Sequence, residues 1–111
     1  MALFITQGRF TQDAMKGMIA KPEDRAESVS QLFASAGGKL LGYYMTFGEY
    51  DFLIVSEGPI DGAATVAVVA AASGGVKDLK TTLALSSADM KAAFGKAGSI
   101  AAKFKSAGVK A

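Results

Sequence analysis

Two residue types that carry much of enzyme chemistry are missing from this chain of 111 residues: it has no cysteine and no histidine. Without cysteine there is no disulfide, no thiolate nucleophile and no cysteine-containing zinc site. Without histidine the commonest general base and metal ligand are absent, which excludes serine–histidine triads and histidine-ligated haem or iron. The 10 acidic residues form no close cluster of the calcium-loop type. The sequence therefore predicts neither a metal nor a cofactor.

Long apolar runs are also scarce. The longest, residues 63–72, is interrupted by Thr65 and is shorter than the roughly 18 residues that a membrane-spanning helix needs. The N-terminus enters an alternating pattern with no basic patch before an apolar stretch, so we expect no signal peptide and a cytoplasmic protein. A chain of 111 residues is expected to form one domain with one core, over 2–85, followed by a terminal helix and tail over 86–111.

The charge is small in total and uneven along the chain. A formal net charge of +2 is too low to favour nucleic-acid binding by the whole surface. From Ser86 onward five lysines stand against one aspartate, so this tail carries +4 and the rest of the chain −2. The tail lacks arginine and interleaved aromatic residues, so nucleic-acid binding is the least favoured function. The five lysines are Lys91, Lys96, Lys103, Lys105 and Lys110.

The residue pattern predicts alternating strands and helices. Residues 2–10 are rich in β-branched and aromatic residues without a helical period, which is typical of a strand. Thr11 is a suitable N-cap for the helix that follows. The apolar period of this helix continues through Pro22, which is expected to kink or split it, until Gly37 and Gly38 end it.

The second half of the chain completes a known pattern. Gly48 and Glu49 are expected to form a tight hairpin turn, because glycine allows positive φ. The resulting order, β-α-β-β-α-β with a terminal helix, predicts a ferredoxin-like α+β fold with an antiparallel sheet. The alternative is a pair of hairpins with a looser helical layer. The remaining elements are expected as strands over 39–47 and 50–57, a helix over 62–73 capped by Asp61, a strand over 76–85, and a helix capped by Ser86.

Both faces of the predicted sheet are apolar. In the third strand Phe52 and Ile54 point to one face, and Leu53 and Val55 to the other. A sheet with helices on one side and water on the other should alternate apolar with polar residues, and this strand does not. Another subunit, the terminal helix or both must therefore cover the second face. We expect self-association through this open face, most simply as a homodimer.

The terminal helix is predicted to be amphipathic and about 18 residues long, with fraying near Gly108. Its stripe is mostly alanine, which suits packing on the sheet or on a partner subunit better than insertion into a lipid surface. The role of the lysine- and alanine-rich extension beyond it stays open. The apolar residues that fall within a sector of about 120° are Met90, Ala93, Phe94, Ala97, Ile100, Ala101 and Phe104.

The stretch YYMTFGEYDFLIVSEGPID, residues 43–61, contains a Gly-x-Tyr-Asp turn that resembles the GYD-domain family of small bacterial proteins. The resemblance covers residues 2–94 and implies a ferredoxin-like domain of the dimeric α+β-barrel type rather than a particular reaction. The chain departs from the family after residue 94, where the extension begins. Further matches to the family pattern are Thr11-Gln12, Pro22 with Arg25-Ala26-Glu27, Gly37-Gly38-Lys39, and Glu57-Gly58-Pro59 with Asp61.

The turn supplies the first candidate site residues. In one interpretation Gly48, Tyr50 and Asp51 form a structural motif, with Asp51 accepting backbone hydrogen bonds and Tyr50 packing at the rim. In the other, Asp51 is an acceptor in a small pocket, with Tyr50 or a neighbouring tyrosine as the donor, and can act as a base.

Arg25, Tyr43 and Thr46 complete the set of ligand-binding candidates. Arg25 lies at the edge of an apolar helix face, where it either pairs with an acid such as Glu57 or offers an anion site. Tyr43 and Tyr44 point to opposite faces of one strand, so one is expected in the core and the other in a cleft or interface. Thr46 is a polar residue in an apolar strand.

Two functions of different classes follow. The first is a homo-oligomeric module that binds a small ligand or regulates, which fits the missing histidine and cysteine and the doubly apolar sheet. The alternative is a cofactor-free enzyme of the dimeric α+β-barrel type, acting on a small oxygenated or aromatic substrate with Asp51, Arg25 and a tyrosine. A pocket bounded by Tyr43, Tyr50 and Asp51 would favour the enzyme, and a dry sheet interface the module.

Overall fold

The computed structural model describes residues 2–108, which form four strands and four helices. In chain order these are β1 (Ala2–Phe10), α1 (Gln12–Ala20), α2 (Ala26–Ser35), β2 (Lys39–Met45), β3 (Phe52–Gly58), α3 (Ile60–Ala72), β4 (Val76–Ala84) and α4 (Ser87–Ala101). The strands form one antiparallel sheet in the order β2-β3-β1-β4. This is the ferredoxin-like arrangement, so the predicted α+β order is confirmed. The central strands β3 and β1 are not consecutive, which excludes two simple hairpins.

The first predicted helix is divided at Pro22, which lies in the gap between α1 and α2. Proline has no N–H to donate, and its ring clashes with the preceding turn of a helix. Thr11 caps α1 as predicted, because its hydroxyl accepts the Ala14 N–H at 3.2 Å. The Asp24 carboxylate accepts the Ala26 N–H at 2.9 Å and so ties down the start of α2.

The connection between β2 and β3 is longer than the predicted two-residue turn at Gly48-Glu49, and that prediction is wrong. The Thr46 N–H donates to the Asp51 carbonyl oxygen at 2.9 Å, and the Thr46 hydroxyl donates to the Tyr50 carbonyl oxygen at 2.6 Å. These bonds close a loop of six residues between the two strands. The strand pairing therefore stops before the glycine can form a tight turn.

α3 begins two residues earlier than expected. Pro59, with φ −70°, is its N-cap, so the prediction that Asp61 caps this helix is wrong. The fixed φ of proline suits the entry to a helix, and Asp61 in the first turn interacts favourably with the helix dipole. The helix is apolar almost all round: Gly62 and Val66 are buried, whereas Ile60 and Val68 are exposed.

The core lies between the sheet and the two helices α2 and α3. Phe33 of α2 and Val66 of α3 pack with Phe52 and Ile54 of β3. Burial alternates strictly along β3, with every second residue buried on the helical side. One face of the sheet therefore carries the core of the protomer.

The other face of the sheet is also apolar at its centre, as predicted. Ile5 pairs with Val55 near its centre, and Leu3 and Leu53 lie on the same side. These four residues are half-buried, and Tyr44 on the neighbouring strand is 60 % exposed. No helix of the described residues packs across this surface, which we call the open sheet face.

α4 points away from the rest of the chain. It starts as predicted, with the Ser86 hydroxyl accepting the Asp89 N–H at 3.1 Å, but spans 15 residues rather than about 18 and has no buried residue. The described chain measures 65 × 29 × 23 Å with a radius of gyration of 18.5 Å, against about 13 Å for a compact domain of similar length. Docking of α4 on its own sheet is therefore not observed. Lys110 lies outside the described residues.

Within residues 2–108, no helix combines the length and apolar character needed to cross a membrane.

Candidate functional site

A cavity of about 220 Å³ lies between the sheet and the helices that cover it, beside the core. Its origin is visible in the residues of α3, which directs Ala63, Ala67 and Ala70 toward it. Such short side chains do not fill the space between a helix and a sheet. Val29 of α2 and Ile54 of β3 complete a lining that is mostly apolar. Packing between α3 and the sheet is therefore incomplete at this cavity.

A pair of hydroxyl groups lies on the strand side of the cavity. Thr6 of β1 and Thr81 of β4 are directly opposite each other in the sheet, and their Oγ1 atoms are 3.2 Å apart. The two hydroxyls hydrogen-bond to each other. The two threonines are 75 positions apart in the sequence, and only the strand register brings them together.

Arg25 and Tyr43 are the two predicted site residues that the structure brings together, at the edge of the cavity. The Arg25 side chain is 48 % exposed, and its Nη1 donates to Glu23 Oε1 at 2.9 Å. The expected partner Glu57 belongs to the opposite face of the sheet, so that pairing is wrong. The contact with Glu23 forms because both residues lie in the short connection that follows α1.

Tyr43 faces the helices because β2 contains an irregularity. The pairing of β2 with β3 shifts register between Leu40 and Gly42, after which Tyr43 lies opposite Ile54. Tyr44 then points to the open sheet face, so the two tyrosines lie on opposite faces, as predicted. Burial raises the pKa of the Tyr43 phenol, while the guanidinium of Arg25 lowers it and the Asp24 carboxylate raises it. The phenol is therefore a neutral hydrogen-bond donor at neutral pH.

A second space of about 340 Å³ adjoins the cavity beneath α1. Met18 and Lys21 line it from the side of α1, and Ser73 lines it from the end of α3. Arg25 and Phe10 belong to the linings of both spaces. Arg25 thus stands where an apolar interior meets a crevice that carries charged groups.

Asp51 joins the loop between β2 and β3 to the first strand. Its Oδ2 atom accepts the Phe10 N–H at 2.9 Å, and its own N–H donates to the Gly8 carbonyl oxygen at 2.8 Å. The pairing of β1 with β4 shifts register between Gln7 and Arg9, next to this contact. Asp51 therefore satisfies the backbone at an irregular point of the sheet.

Tyr50 lies against a different arginine. The guanidinium of Arg9 is 5.0 Å from the centroid of the Tyr50 ring, and Arg9 Nη1 donates to Asp78 Oδ2 at 3.1 Å. The lining of the cavity does not include Thr46, Tyr50 or Asp51. The predicted site residues therefore divide between two places: the cavity edge and the loop. Within residues 2–108, no three carboxylates lie close enough together to hold a metal ion.

The fold and this cavity define a ferredoxin-like α+β protein with a space between its two layers. The chain belongs to the GYD-domain family, whose pattern matches residues 4–94. The match ends within α4, as the resemblance in the sequence indicated. No protein of curated function matches the sequence.

Two solved structures are similar in fold. One, a protein from Thermus thermophilus, shares 17 % identity at a TM-score of 0.49, over 78 % of this chain and 96 % of its own. The other is a transcriptional regulator from Neisseria meningitidis in complex with L-Met, with 14 % identity, a TM-score of 0.49 and 78 % of this chain covered. This chain spans 51 % of the length of that regulator.

Proposed function

We propose that this protein is a homo-oligomeric module that binds a small amphipathic ligand, with the apolar part of the ligand in the cavity and an anionic group at Arg25. The observation that carries the proposal is the cavity of about 220 Å³ with Arg25 and Tyr43 at its edge. Water molecules in this space have few polar partners, because its lining is mostly apolar. An apolar group that displaces them gains free energy. A small aromatic or branched aliphatic carboxylate fits this size and polarity.

The edge of the cavity supplies the polar contacts of such a ligand. The Arg25 guanidinium offers five N–H donors, of which the contact with Glu23 uses one at 2.9 Å. The planar fork of the remaining donors matches a carboxylate. Tyr43, neutral at physiological pH, can donate a further hydrogen bond. Because Arg25 is half-exposed, an anion there keeps part of its water, and the expected affinity is moderate.

Self-association through the open sheet face, as a dimer of the α+β-barrel type, belongs to the same proposal. Within residues 2–108 helices cover only one side of the sheet, and Ile5, Leu53 and Val55 on the other side are only partly buried. A second copy with the same apolar face would cover them by two-fold symmetry. A ligand that alters the spacing of helices and sheet could then act on assembly, which would make the module regulatory. The cytoplasmic location expected from the sequence stays a prediction.

The alternative, a cofactor-free enzyme, has less support. Its base would be Asp51, which bonds to the Phe10 N–H and lies with Tyr50 outside the lining of the cavity. Tyr43 and Arg25 alone offer a donor and a positive charge, which are means of binding. The separation of these candidates therefore favours a binding module.

The proposal is tested by titrating benzoate and 3-methylbutanoate into isotope-labelled protein and following the backbone amides by NMR. We expect shifts at Thr6, Val66 and Ala70, which surround the cavity. Toluene, which has the ring without the carboxylate, should shift the same amides. Arg25→Gln should weaken the binding of both carboxylates about tenfold, or about 1.4 kcal/mol, and leave toluene unchanged.

The matched control is Arg9→Gln, since Arg9 is the other arginine of the chain and lies against Tyr50 and Asp78. It should leave the binding of every probe unchanged. Shifts confined to exposed lysines, or an equal loss of carboxylate binding in both variants, would show that Arg25 and the cavity do not form the site.

A further inference from the structure

Two helix surfaces of this chain are apolar and exposed, and neither has a cover within residues 2–108. The first is the outer face of α3, which points away from the sheet. Its apolar residues recur at spacings of four, four and three. We call it the outer α3 stripe: Ile60, Ala64, Val68 and Ala71. The second is the stripe of α4, on which Phe94 is 66 % exposed and Ile100 61 % exposed. A helix that is apolar almost all round, as α3 is, normally has neighbours on more than one side.

α4 is not expected to be stable as an isolated helix. It has 15 residues, includes Gly95 and Gly98, and buries no side chain. Isolated helices of about this length are marginal in water, and each interior glycine costs about 1 kcal/mol relative to alanine. The free energy that keeps α4 helical must therefore come from packing of its stripe against something else.

The outer α3 stripe of the same chain is out of reach for α4. Only Leu85 and Ser86 separate β4 from α4. The three Cα–Cα steps across them span about 11 Å at most. A helix that lies along the outside of α3 has its axis two layers from the sheet, about 18–20 Å away. The two stripes of one chain therefore cannot cover each other.

The charges around the two surfaces are also complementary. The chain from Ser86 onward carries +4 and the rest of it −2. α3 has one acidic residue, Asp61, and no basic residue. The carbonyl groups at the C-terminus of such a helix attract cations. The lysines that flank the α4 stripe are therefore suited to the surroundings of α3.

We propose that α4 of one copy packs along the outer α3 stripe of a second copy. The outer α3 stripe and the open sheet face lie on opposite sides of the protomer, so this contact is distinct from a dimer contact between sheets. A protein that uses both surfaces forms an assembly larger than a dimer. That size rests on the proposed sheet-face dimer, whereas the contact between the helices does not.

The absence of cysteine from the natural sequence gives a direct test. A tagged chain with Val68→Cys is mixed with an untagged chain with Phe94→Cys, and the mixture is oxidised. Both positions are near the middle of their helices, so they approach each other whichever way the helices run. We expect a mixed disulfide between tagged and untagged chains. The control replaces Phe94→Cys by Lys96→Cys, which lies outside the apolar stripe and should cross-link several-fold less.

Equal yields for Phe94→Cys and Lys96→Cys would overturn the proposal. So would a disulfide that forms within single chains of the double variant Val68→Cys/Phe94→Cys at high dilution, or one that joins two Phe94→Cys chains in preference to the mixed pair.

A second measurement is the size of the assembly by sedimentation. Phe94→Ser should reduce the assembly to a dimer, and the matched Lys96→Ser should leave it unchanged. If Phe94→Ser has no effect on size, the helix contact is wrong. If Val55→Asp has no effect on size, the sheet-face dimer is wrong, so the two failures can be told apart.

Discussion

Asp51 shows how one side chain of the Gly-x-Tyr-Asp turn supports the fold. We predict that Asp51→Ala lowers the free energy of unfolding by about 1–3 kcal/mol, because the Phe10 N–H, now bonded to Asp51 at 2.9 Å, would lose its acceptor in a part-buried place. Asp51→Asn keeps an acceptor oxygen and should cost less. Urea denaturation measures both differences.

The control for this prediction is Glu49→Ala in the same loop. Glu49 is exposed, so its loss should change stability by no more than about 0.5 kcal/mol. If Asp51→Ala were as stable as the natural protein but no longer bound benzoate, Asp51 would belong to the ligand site instead.

Tyr43, at the candidate site, is expected to make the stability of the folded protein depend on pH in the alkaline range. Burial raises its pKa in the folded protein, so as pH passes about 10 the unfolded chain loses this proton first. The contribution of Tyr43 to stability is therefore present below that pH and lost as pH rises through the folded pKa. Tyr43→Phe should remove this part of the pH dependence of unfolding.

The same tyrosine reports on its neighbour. Because the charge of Arg25 lowers the pKa of Tyr43, Arg25→Gln should raise it further. The ultraviolet absorbance of phenolate, taken as the difference between each protein and its Tyr43→Phe counterpart, follows this one group. A Tyr43 titration that did not change in Arg25→Gln would place the guanidinium away from the phenol.

At the residue scale the sequence predicted kinds of contact better than partners. It indicated that Asp51 accepts backbone hydrogen bonds, but the amide concerned is 41 residues away on β1. It indicated an acid beside Arg25, but named Glu57 rather than Glu23. Such choices depend on strand register and on the path of the chain after Pro22, and no local pattern determines either.

At the scale of elements, the contact between α2 and α3 depends on one missing side chain. A Cβ atom on Gly62 would collide with the carbonyl oxygen of Ala36 and lie 3.2 Å from Cγ of Pro59. We predict that Gly62→Ala destabilises the fold by about 1–3 kcal/mol, because the helices must move apart.

The matched substitution is Gly98→Ala in α4, where nothing lies within 4 Å of the new Cβ. It should increase the helix content and stabilise α4 by about 1 kcal/mol. Far-ultraviolet circular dichroism and urea denaturation of both variants give the comparison. Effects of the same sign at the two glycines would contradict this account of the helix contact.

The elements with local signals were predicted well. Thr11 and Ser86 cap their helices, and Pro22 separates α1 from α2, because each acts on neighbouring backbone. The loop between β2 and β3 was not predicted, since its length is set by the hydrogen bonds of Thr46 with Tyr50 and Asp51 rather than by the glycine within it. The alanines of α3 that line the cavity are visible in the sequence. That they leave a space follows only from the position of the sheet beneath them.

At the scale of the whole molecule, the apolar pattern indicates that a surface is covered, but it does not identify the element or the molecule that covers it. The stripe of α4 was consistent with docking on its own sheet or on a partner. In the structure the helix points away from the sheet, and the described chain is 65 Å long in its longest dimension. The two-residue link to β4 and the direction of α4 come from the path of the backbone. Assembly is therefore the property that the sequence determines least and that the exposed surfaces now make testable.

Truncation after Leu85 separates the domain from its last helix. α4 buries none of its residues in the protomer. We therefore predict that the truncated protein keeps its sheet and its other helices, and that the melting temperature of its dimer is close to that of the full chain. Its assembly should become smaller, since the helix contact between copies is removed. A truncated protein of unchanged size in sedimentation would mean that α4 has no part in assembly.

The open sheet face makes the complementary prediction. Val55 is near its centre, paired with Ile5, so Val55→Asp would place a carboxylate without a partner inside the contact between two sheets. Burying such a charge costs several kcal/mol, and we expect the dissociation constant of the dimer to rise at least about 100-fold, or about 2.7 kcal/mol. The control is Ile19→Asp on α1, where the side chain is 80 % exposed and belongs to neither proposed contact. Sedimentation of truncated chains that carry each substitution isolates the sheet contact, because α4 is then absent. If Val55→Asp and Ile19→Asp sedimented alike as dimers, the copies would associate through another surface, and the apolar residues of the open sheet face would remain without a partner.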